Sequence, residues 1–167
     1  MERKSTKKTK IKNQHKYEFV KRVAIGGEGT IKLYKHYTTG EMIVVKFPNV
    51  DYEDNIKHEK KIYRHILKSQ SSGCKKFFPK LLDFEGDFDG NKHYLALEYV
   101  KGKTLHEKLK QSNKNKYKSM ISQIQKGIKC LWKIGIIHGD LHTGNIIIDK
   151  KGKIKIVDFG ASQIFDP

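Results

Sequence analysis

The segment His138-Gly-Asp-Leu-His-Thr-Gly-Asn145, followed by an apolar run and then by Asp158-Phe-Gly160, is the most informative part of this 167-residue chain. Transfer of a phosphoryl group to a hydroxyl needs a carboxylate that accepts the hydroxyl proton and oxygen ligands that hold Mg²⁺ against the phosphates. Asp140, Asn145 and Asp158 supply groups of this kind. The pattern therefore predicts a phosphoryl-transfer site with Asp140 as proton acceptor and with Asn145 and Asp158 as Mg²⁺ ligands.

Two short strands explain the spacing between these residues. The apolar runs Ile146–Asp149 and Lys153–Val157 flank Lys150-Lys-Gly152, which is typical of a hairpin turn. Such a hairpin would bring Asp158 beside Asn145. The loop, the hairpin and the Asp-Phe-Gly tripeptide, in this order, resemble the catalytic loop and DFG motif of the protein-kinase-like superfamily. The resemblance implies an α+β, two-lobed protein-kinase-like fold that uses ATP and Mg²⁺.

A glycine-rich turn precedes these motifs, as the resemblance requires. Val20–Ile25 and Ile31–Lys35 are predicted as strands on either side of Gly26-Gly-Glu-Gly29, where backbone N–H groups could approach phosphates. The family's Gly-x-Gly-x-x-Gly pattern aligns without a gap at Gly26, which places Glu28 at the second glycine position and an isoleucine at the third. An ordinary hairpin turn is the alternative interpretation.

The apolar segment Glu41–Lys46 is predicted as the next strand, and its final lysine resembles the phosphate-binding lysine of the family's Val-Ala-Ile-Lys strand. A lysine that merely extends into solvent is the alternative. The order of the motifs favours Lys46 as the residue that orients the α- and β-phosphates.

An amphipathic helix is predicted over Asp54–Lys68, because apolar residues recur near one face of it: Ile56, Ile62, Ile66 and Leu67. The resemblance implies that Glu59 on this helix forms an ion pair with Lys46. Glu53 is an alternative partner, but its position in the first turn suits an interaction with the helix dipole better. Tyr63, one turn after Glu59, is expected in the same apolar column.

Two further strands are predicted over Phe78–Phe84 and His93–Val100. The second leads into a segment, Leu97–Gly102, that resembles the kinase hinge, in which backbone groups near Glu98 and Val100 would bind adenine. A buried strand that enters a loop is the alternative. The resemblance thus assigns nucleotide binding to a set of residues on the glycine turn, the strands and the hinge: Ile25, Gly26, Gly27, Gly29, Leu33, Val44, Lys46, Glu98, Val100 and Ile147.

A long helix is predicted over Tyr117–Lys133 from the helical spacing of Met120, Ile121, Ile124, Ile128, Leu131 and Trp132. It leads to His138, which we expect to pack beneath Phe159 rather than to act as a base. Cys74 and Cys130 lie far apart without metal-type or redox spacing, so free thiols are expected.

The formal charge of +17 and the pI near 9.7 favour attraction to polyanions. Residues 1–16 are predicted to form a basic disordered tail. Because the chain contains only three arginines, Arg3, Arg22 and Arg64, a dedicated nucleic-acid function is disfavoured and non-specific contact is expected. An acidic activating protein is a second candidate partner beside a protein substrate. No apolar run reaches membrane-spanning length. We expect a cytoplasmic monomer, in the host cytoplasm if the chain is a viral or bacterial effector.

Departures from the family pattern leave alternatives open. Gly139 stands where regulated kinases carry the arginine of His-Arg-Asp, so control by activation-loop phosphorylation, including at Ser162, is not expected. His142 makes the loop resemble aminoglycoside and choline phosphotransferases, which suggests a small-molecule substrate as an alternative. A pseudokinase that acts as a binding module is the second alternative, favoured by the irregular glycine turn.

The chain ends at Pro167, shortly after the Asp-Phe-Gly motif. We therefore expect an N-lobe over residues 17–97 and, over residues 98–167, a hinge with a truncated C-lobe. This organisation resembles that of the truncated bacterial-effector and viral kinases. It predicts a minimal serine/threonine protein kinase.

Overall fold

The computed structural model describes residues 16–69, 72–82, 84, 86–110 and 117–166. Apart from Lys16, the predicted basic tail lies outside these residues. The described strands are β1 (Tyr17–Ile25), β2 (Gly29–His36), β3 (Met42–Pro48), β4 (Leu95–Glu98), β5 (Gly102–Thr104), β6 (Ile136–Ile137), β7 (Ile146–Asp149), β8 (Ile154–Ile156) and β9 (Gln163–Ile164). The α-helices are α1 (Glu53–Lys68), α2 (Ser72–Lys75), α3 (Leu105–Leu109) and α4 (Tyr117–Lys133).

Strands β1 to β4 form an antiparallel sheet in sequence order, and α1 packs against β3 and β4; together these elements form the N-terminal lobe. In β3 the side chains of Ile43, Val45 and Phe47 are buried. Because successive side chains of a strand point to opposite faces, Val44 and Lys46 face the other way. This alternation directs Lys46 toward the space between the lobes.

Helix α1 is amphipathic, as its sequence predicts. Its buried residues are Ile56, Glu59, Ile62, Tyr63 and Ile66. Leu67, expected on the same face, is 38% exposed at the edge of that face. A charged residue, Glu59, thus lies among the apolar residues of the buried face.

The described residues of Phe78–Phe84 do not form the predicted strand. Among them, only Leu81 forms a β-bridge, an isolated one with Leu97. Hydrogen bonds on either side of this bridge reach Lys80 and Leu82, but Pro79 has no N–H to extend a ladder. The apolar residues that suggested a strand are explained by core packing, since the side chains of Phe78 and Leu81 are each buried in the core.

The C-terminal lobe comprises β5 to β9 with α3 and α4. It contains a β5-β7-β8 sheet and a two-stranded β6-β9 ribbon, all antiparallel. Helix α4 has the predicted bounds, but its buried stripe is narrower than its apolar residues suggest, since Ile121 and Trp132 are 52% and 60% exposed. The largest apolar cluster joins the lobes, from Ile62 on α1 to Leu131 on α4.

A disulfide links Cys74 on α2 to Cys130 on α4, so the expectation of free thiols is wrong. The two Cα atoms lie 5.5 Å apart because α2 packs against α4, although the cysteines are separated by 56 positions in sequence. That proximity is a tertiary effect and leaves no local spacing signal. Among the described residues, no helix has the length and apolar character needed to cross a membrane.

Candidate active site

A cavity of about 360 Å³ lies between the two lobes. It brings together many of the residues singled out from the sequence, namely Val44, Lys46, Glu59, Glu98, Val100, Asn145, Ile147 and Asp158. Charged and amide groups therefore meet the apolar walls of the two sheets in one cleft, which is the usual composition of a small-molecule site.

Lys46 lies between two carboxylates. Its Nζ is 3.0 Å from Oε2 of Glu59 and 3.8 Å from Oδ1 of Asp158. Burial by itself lowers the pKa of Lys46, but the charge and hydrogen bond of Glu59 outweigh it and raise that pKa above its ordinary value. The lysine is thus held as a cation at the wall of the cavity.

Glu59 uses both carboxylate oxygens. While Oε2 bonds Lys46, Oε1 accepts a hydrogen bond of 3.1 Å from the backbone N–H of Phe159. The residue is only 2% exposed. Burial raises the pKa of Glu59, and the Lys46 ammonium opposes the rise. One buried carboxylate therefore connects β3, α1 and the Asp-Phe-Gly segment.

Phe159 is fully buried beneath this carboxylate. Its ring contacts that of Tyr63 edge-on at 5.1 Å between centroids, and the His138 ring lies 5.0 Å away on another side. The structure thus places His138 and Tyr63 in the packing positions expected from the sequence. Among the described residues, the Tyr63 hydroxyl is the one buried side-chain polar atom without a hydrogen-bond partner.

His138 also holds the loop that contains Asp140. Its Nε2–H donates to the carbonyl of Val157 at 3.1 Å, and its Nδ1 accepts from the Asp140 N–H at 3.3 Å. Burial lowers the pKa of His138, which keeps the ring in the neutral form that these two bonds require. The histidine therefore fixes the backbone of Asp140.

The β7–β8 hairpin brings Asn145 and Asp158 together. The Val157 N–H donates to the Asn145 carbonyl at 2.9 Å, and the Asn145 Nδ2 donates to the Asp140 carbonyl at 2.9 Å. Asn145 Oδ1 is then the side-chain oxygen suited to a cation. Asp158 has a φ of 65°, a left-handed conformation that aspartate tolerates better than most residues.

The Asp140 side chain is 62% exposed and does not line the cavity. Its Oδ2 lies 3.7 Å from Nε2 of His142, whose Nδ1 accepts a hydrogen bond of 3.0 Å from the Gly144 N–H. Because Nδ1 is the acceptor, the ring proton is on Nε2 and faces Asp140. The Asp140 carboxylate is therefore accessible from solvent.

Gly139, which stands in place of an arginine, has no room for any side chain. Its φ is +82°, and a Cβ atom would lie 2.1 Å from the Ala161 carbonyl oxygen. The backbone conformation of residue 139 and its contact with residue 161 therefore exclude an arginine at this position.

The glycine turn requires a correction. Ile25 is 69% exposed, and neither Ile25 nor Leu33 lines the cavity; Val23 and Ile31 do. The alignment at Gly26 is therefore two residues out of register. Starting the pattern at Ala24 puts Gly26 and Gly29 at the second and third glycine positions, with Ala24 at the first.

All three predicted glycines have identifiable roles in the turn. Gly29 is required by close packing, because a Cβ there would lie 2.2 Å from the Phe47 carbonyl oxygen. The carbonyl of Gly27 accepts a hydrogen bond of 2.7 Å from Asn49 Nδ2. The same amide donates to the Gly26 carbonyl at 3.3 Å. Asn49 escaped sequence reasoning because an asparagine after a strand is an ordinary turn residue.

The oxygen donors in the cleft suit Mg²⁺. Mg²⁺ is generally bound through one or two carboxylates together with substrate phosphates rather than by a complete protein cage. Asp158 and Asn145 supply hard oxygen atoms, and no cluster of three or more His, Cys, Asp or Glu residues suited to a metal occurs in the described part of the chain. The arrangement fits a cation that is shared with a nucleotide.

The chain matches the family model described as protein kinase domain over residues 17–167. It is 31% identical over 156 residues to a probable serine/threonine-protein kinase of Dictyostelium discoideum, covering 89% of this chain and 11% of that protein. It is 28% identical over 158 residues to a probable serine/threonine-protein kinase of Clostridium perfringens, covering 91% of this chain and 22% of that protein. A mitogen-activated protein kinase kinase of Nicotiana tabacum is 28% identical over 152 residues, covering 89% of this chain and 41% of that protein. The chain thus spans less than half the length of these relatives.

Proposed function

The chain belongs to the protein kinase domain family, and we propose that it acts as a serine/threonine protein kinase that transfers the γ-phosphoryl group of Mg-ATP to a protein hydroxyl. The observation that carries the proposal is the position of Lys46 between Glu59 and Asp158, at the wall of a cavity that Asn145 also lines. A cation and metal-binding oxygens around one cleft are what phosphoryl transfer needs.

Each polar residue has a proposed role. Asp140 accepts the proton of the attacking hydroxyl, and Lys46 orients the α- and β-phosphates. Glu59 holds Lys46 in place, while Asn145 and Asp158 hold Mg²⁺. When bound, Mg²⁺ neutralises charge on the phosphates. The nucleotide base is proposed to lie beside the hinge, at Glu98 and Val100, against the apolar wall formed by Val23, Ile31, Val44 and Ile147.

The proposal is tested with radiolabelled ATP and a panel of acceptors: a casein-like protein, choline and hydroxylated antibiotics. Label on the protein, lost in Asp140→Asn, is the expected result. Label on choline or an antibiotic instead would establish the small-molecule alternative. Nucleotide binding without transfer to any acceptor would establish a binding module.

A basic groove supports the proposal of an acidic protein partner. This groove, of about 560 Å³, lies between α4 and the β7–β8 hairpin and is lined by Lys76, Lys126 and Lys153 among others. Such a surface steers acidic partners, and the attraction weakens as salt rises. The expected result is that an added acidic polypeptide raises transfer to the protein substrate more than its neutral analogue does, and at low salt only. Binding of nucleic acid is proposed to be non-specific and equally sensitive to salt.

We further propose that the protein is a monomer located in the cytoplasm. The Cys74–Cys130 disulfide is more typical of oxidising compartments. Sedimentation of the purified protein tests the first proposal. Thiol labelling of the protein directly from cells tests the second, since a persistently oxidised pair would count against a reducing cytoplasm.

A further inference from the structure

Two histidines connect helix α1 of the N-terminal lobe to the backbone of the C-terminal lobe. The Nε2 atom of His58 lies 2.7 Å from the carbonyl oxygen of Ser162, and Nε2 of His65 lies 2.6 Å from the carbonyl oxygen of Ile134. These partners are 104 and 69 positions away in sequence. A carbonyl oxygen can only accept, so both rings donate an Nε2–H, which imidazole carries in its cationic form and in one neutral tautomer.

Both acceptors are themselves fixed. The Ser162 hydroxyl donates to the His138 carbonyl at 2.8 Å and its N–H to the Phe159 carbonyl at 3.1 Å. Ile134 follows α4 directly, and its N–H bonds the carbonyl of Leu131 at 3.1 Å. The Ile134 carbonyl is one of the carbonyls at the C-terminal end of α4 that have no hydrogen-bond partner within the helix. Such carbonyls carry the partial negative charge of the helix dipole. Each histidine therefore attaches α1 to an ordered point of the other lobe.

Glu59 lies between these two attachment points on α1. His58 and His65 are seven residues apart, two helical turns or roughly 10 Å along the axis, and so lie on the same face of α1. Glu59 lies one residue after His58, and its carboxylate reaches both Lys46 and Phe159. The two bonds restrain α1 from swinging and rotating, and they act together with its buried apolar face to set the orientation of Glu59.

We propose that His58 and His65 are positioning residues that lock α1 over the C-terminal lobe and so keep the Lys46–Glu59 ion pair assembled. This inference rests on the proposed kinase function and adds a mode of control to it. The lock is made of backbone carbonyls and imidazoles. The catalytic arrangement is therefore assembled without a phosphate group on the chain.

The test replaces each histidine by leucine, which has no donor, and by glutamine, whose amide can donate near the Nε2 position. Both residues are good helix formers, so helix propensity does not separate them. Each leucine variant is expected to lose kcat/KM for ATP by about two- to tenfold, the range of one neutral hydrogen bond. Each glutamine variant should recover most of that loss. His106→Leu, at an exposed position on α3, is the matched control and should behave as wild type.

A double-mutant cycle separates positioning from general stability. If His58 acts through Glu59, His58→Leu should have no further effect on kcat/KM in a Glu59→Gln background. An equal loss in both backgrounds would overturn the inference, as would a glutamine variant as impaired as the leucine variant.

Hydrogen exchange of the α1 amides without nucleotide gives a readout that does not need activity. Exchange should be faster in the His58→Leu/His65→Leu double variant and close to wild type in the corresponding double glutamine variant. Unchanged exchange in the double leucine variant would show that α1 is not locked by these bonds. Absence of phosphate transfer by wild-type protein would instead refute the proposed function, while the exchange comparison would still decide the lock.

Discussion

Glu59 Oε1 accepts a hydrogen bond from the backbone N–H of Phe159, a residue 100 positions further along the chain. Because Oε2 of the same carboxylate bonds Lys46, a single buried side chain aligns Lys46 with the Asp-Phe-Gly segment. Changes at Lys46 are therefore expected to affect both catalysis and folding.

Lys46→Met should abolish most phosphate transfer and lower stability, because it leaves Glu59 buried without its cation. Removing one partner of a buried ion pair lowers the free energy of unfolding by about 3–5 kcal/mol. The loss is smaller here because Glu59 can take up a proton and become neutral. Burial raises the pKa of Glu59 in the folded state, so its contribution to stability falls as pH rises. Without Lys46 the pKa of Glu59 rises further, so in urea unfolding the deficit should grow as pH rises above 4.5, the ordinary value for a glutamate.

Lys32→Met is the control for this experiment. Lys32 forms a more exposed ion pair with Asp89, at 3.1 Å, of the kind that contributes about 0–1 kcal/mol. A deficit of the same size in both variants, or one that shrinks as pH rises in Lys46→Met, would contradict the account of Glu59.

Asp140→Asn should lower phosphate transfer by about 10²-fold or more, because the amide cannot accept the hydroxyl proton. The carboxylate is exposed, so the melting temperature should change little. The rate is measured under single-turnover conditions, with Asp54→Asn, a change at an exposed carboxylate on α1, as the control. Wild-type turnover in Asp140→Asn would refute its assignment as the base.

Asp158→Ala and Asp158→Asn should both lose Mg²⁺-dependent ATP binding, since each removes a charged oxygen ligand. They should differ in stability. Residue 158 has a left-handed backbone conformation that asparagine adopts more readily than alanine, so Asp158→Asn should be more stable by about 1 kcal/mol. Calorimetric titration with Mg-ATP and urea unfolding of both variants measure the two effects separately.

His138 should make the protein sensitive to mild acid. Its folded-state pKa is lowered by burial, so the unfolded chain takes up a proton first as pH falls below the ordinary value of 6.5, and stability then decreases. His138→Phe should be less stable near neutrality because two hydrogen bonds are lost. Its unfolding free energy should nevertheless depend less on pH between about 7.5 and 5.5. A slope equal to that of wild type would assign the acid sensitivity to other groups.

Ser162 should not serve as a phosphorylation switch. It is 1% exposed, and its hydroxyl donates to the His138 carbonyl. Ser162→Ala should cost about 1 kcal/mol, one buried hydrogen bond, and should retain phosphate transfer. Mass spectrometry of protein incubated with ATP should find Ser162 unmodified. Phosphate on Ser162 together with loss of activity in Ser162→Ala would reverse this conclusion.

Local patterns allowed much of this architecture to be predicted. The bounds of α4 followed from helical spacing, and the approach of Asp158 to Asn145 followed from one short hairpin. The glycine turn was misaligned by two residues because Ala24 occupies the first glycine position, so that the pattern was started at Gly26. Only the three-dimensional structure shows that Ile31 reaches the cavity.

Other features depend on contacts that no local pattern encodes. The disulfide joins residues whose proximity results from packing between α2 and α4. The bonds of His58 and His65 end on backbone carbonyls, which every residue possesses, so the partner residues carry no sequence signal. Amphipathic spacing predicted the face of α1 that faces the core but not these two polar attachments at its side.

The Cys74–Cys130 bond closes a covalent ring around the hinge, because the chain from Cys74 to Cys130 includes the segment 97–102 that leads from one lobe into the other. The disulfide therefore adds a second covalent connection to the hinge, beside the hydrogen bonds that His58 and His65 make from α1 to the C-terminal lobe. Closing a ring of this size also removes conformations from the unfolded chain, an entropic contribution of about 4 kcal/mol. The same bond thus ties α2 to α4 and favours the folded state.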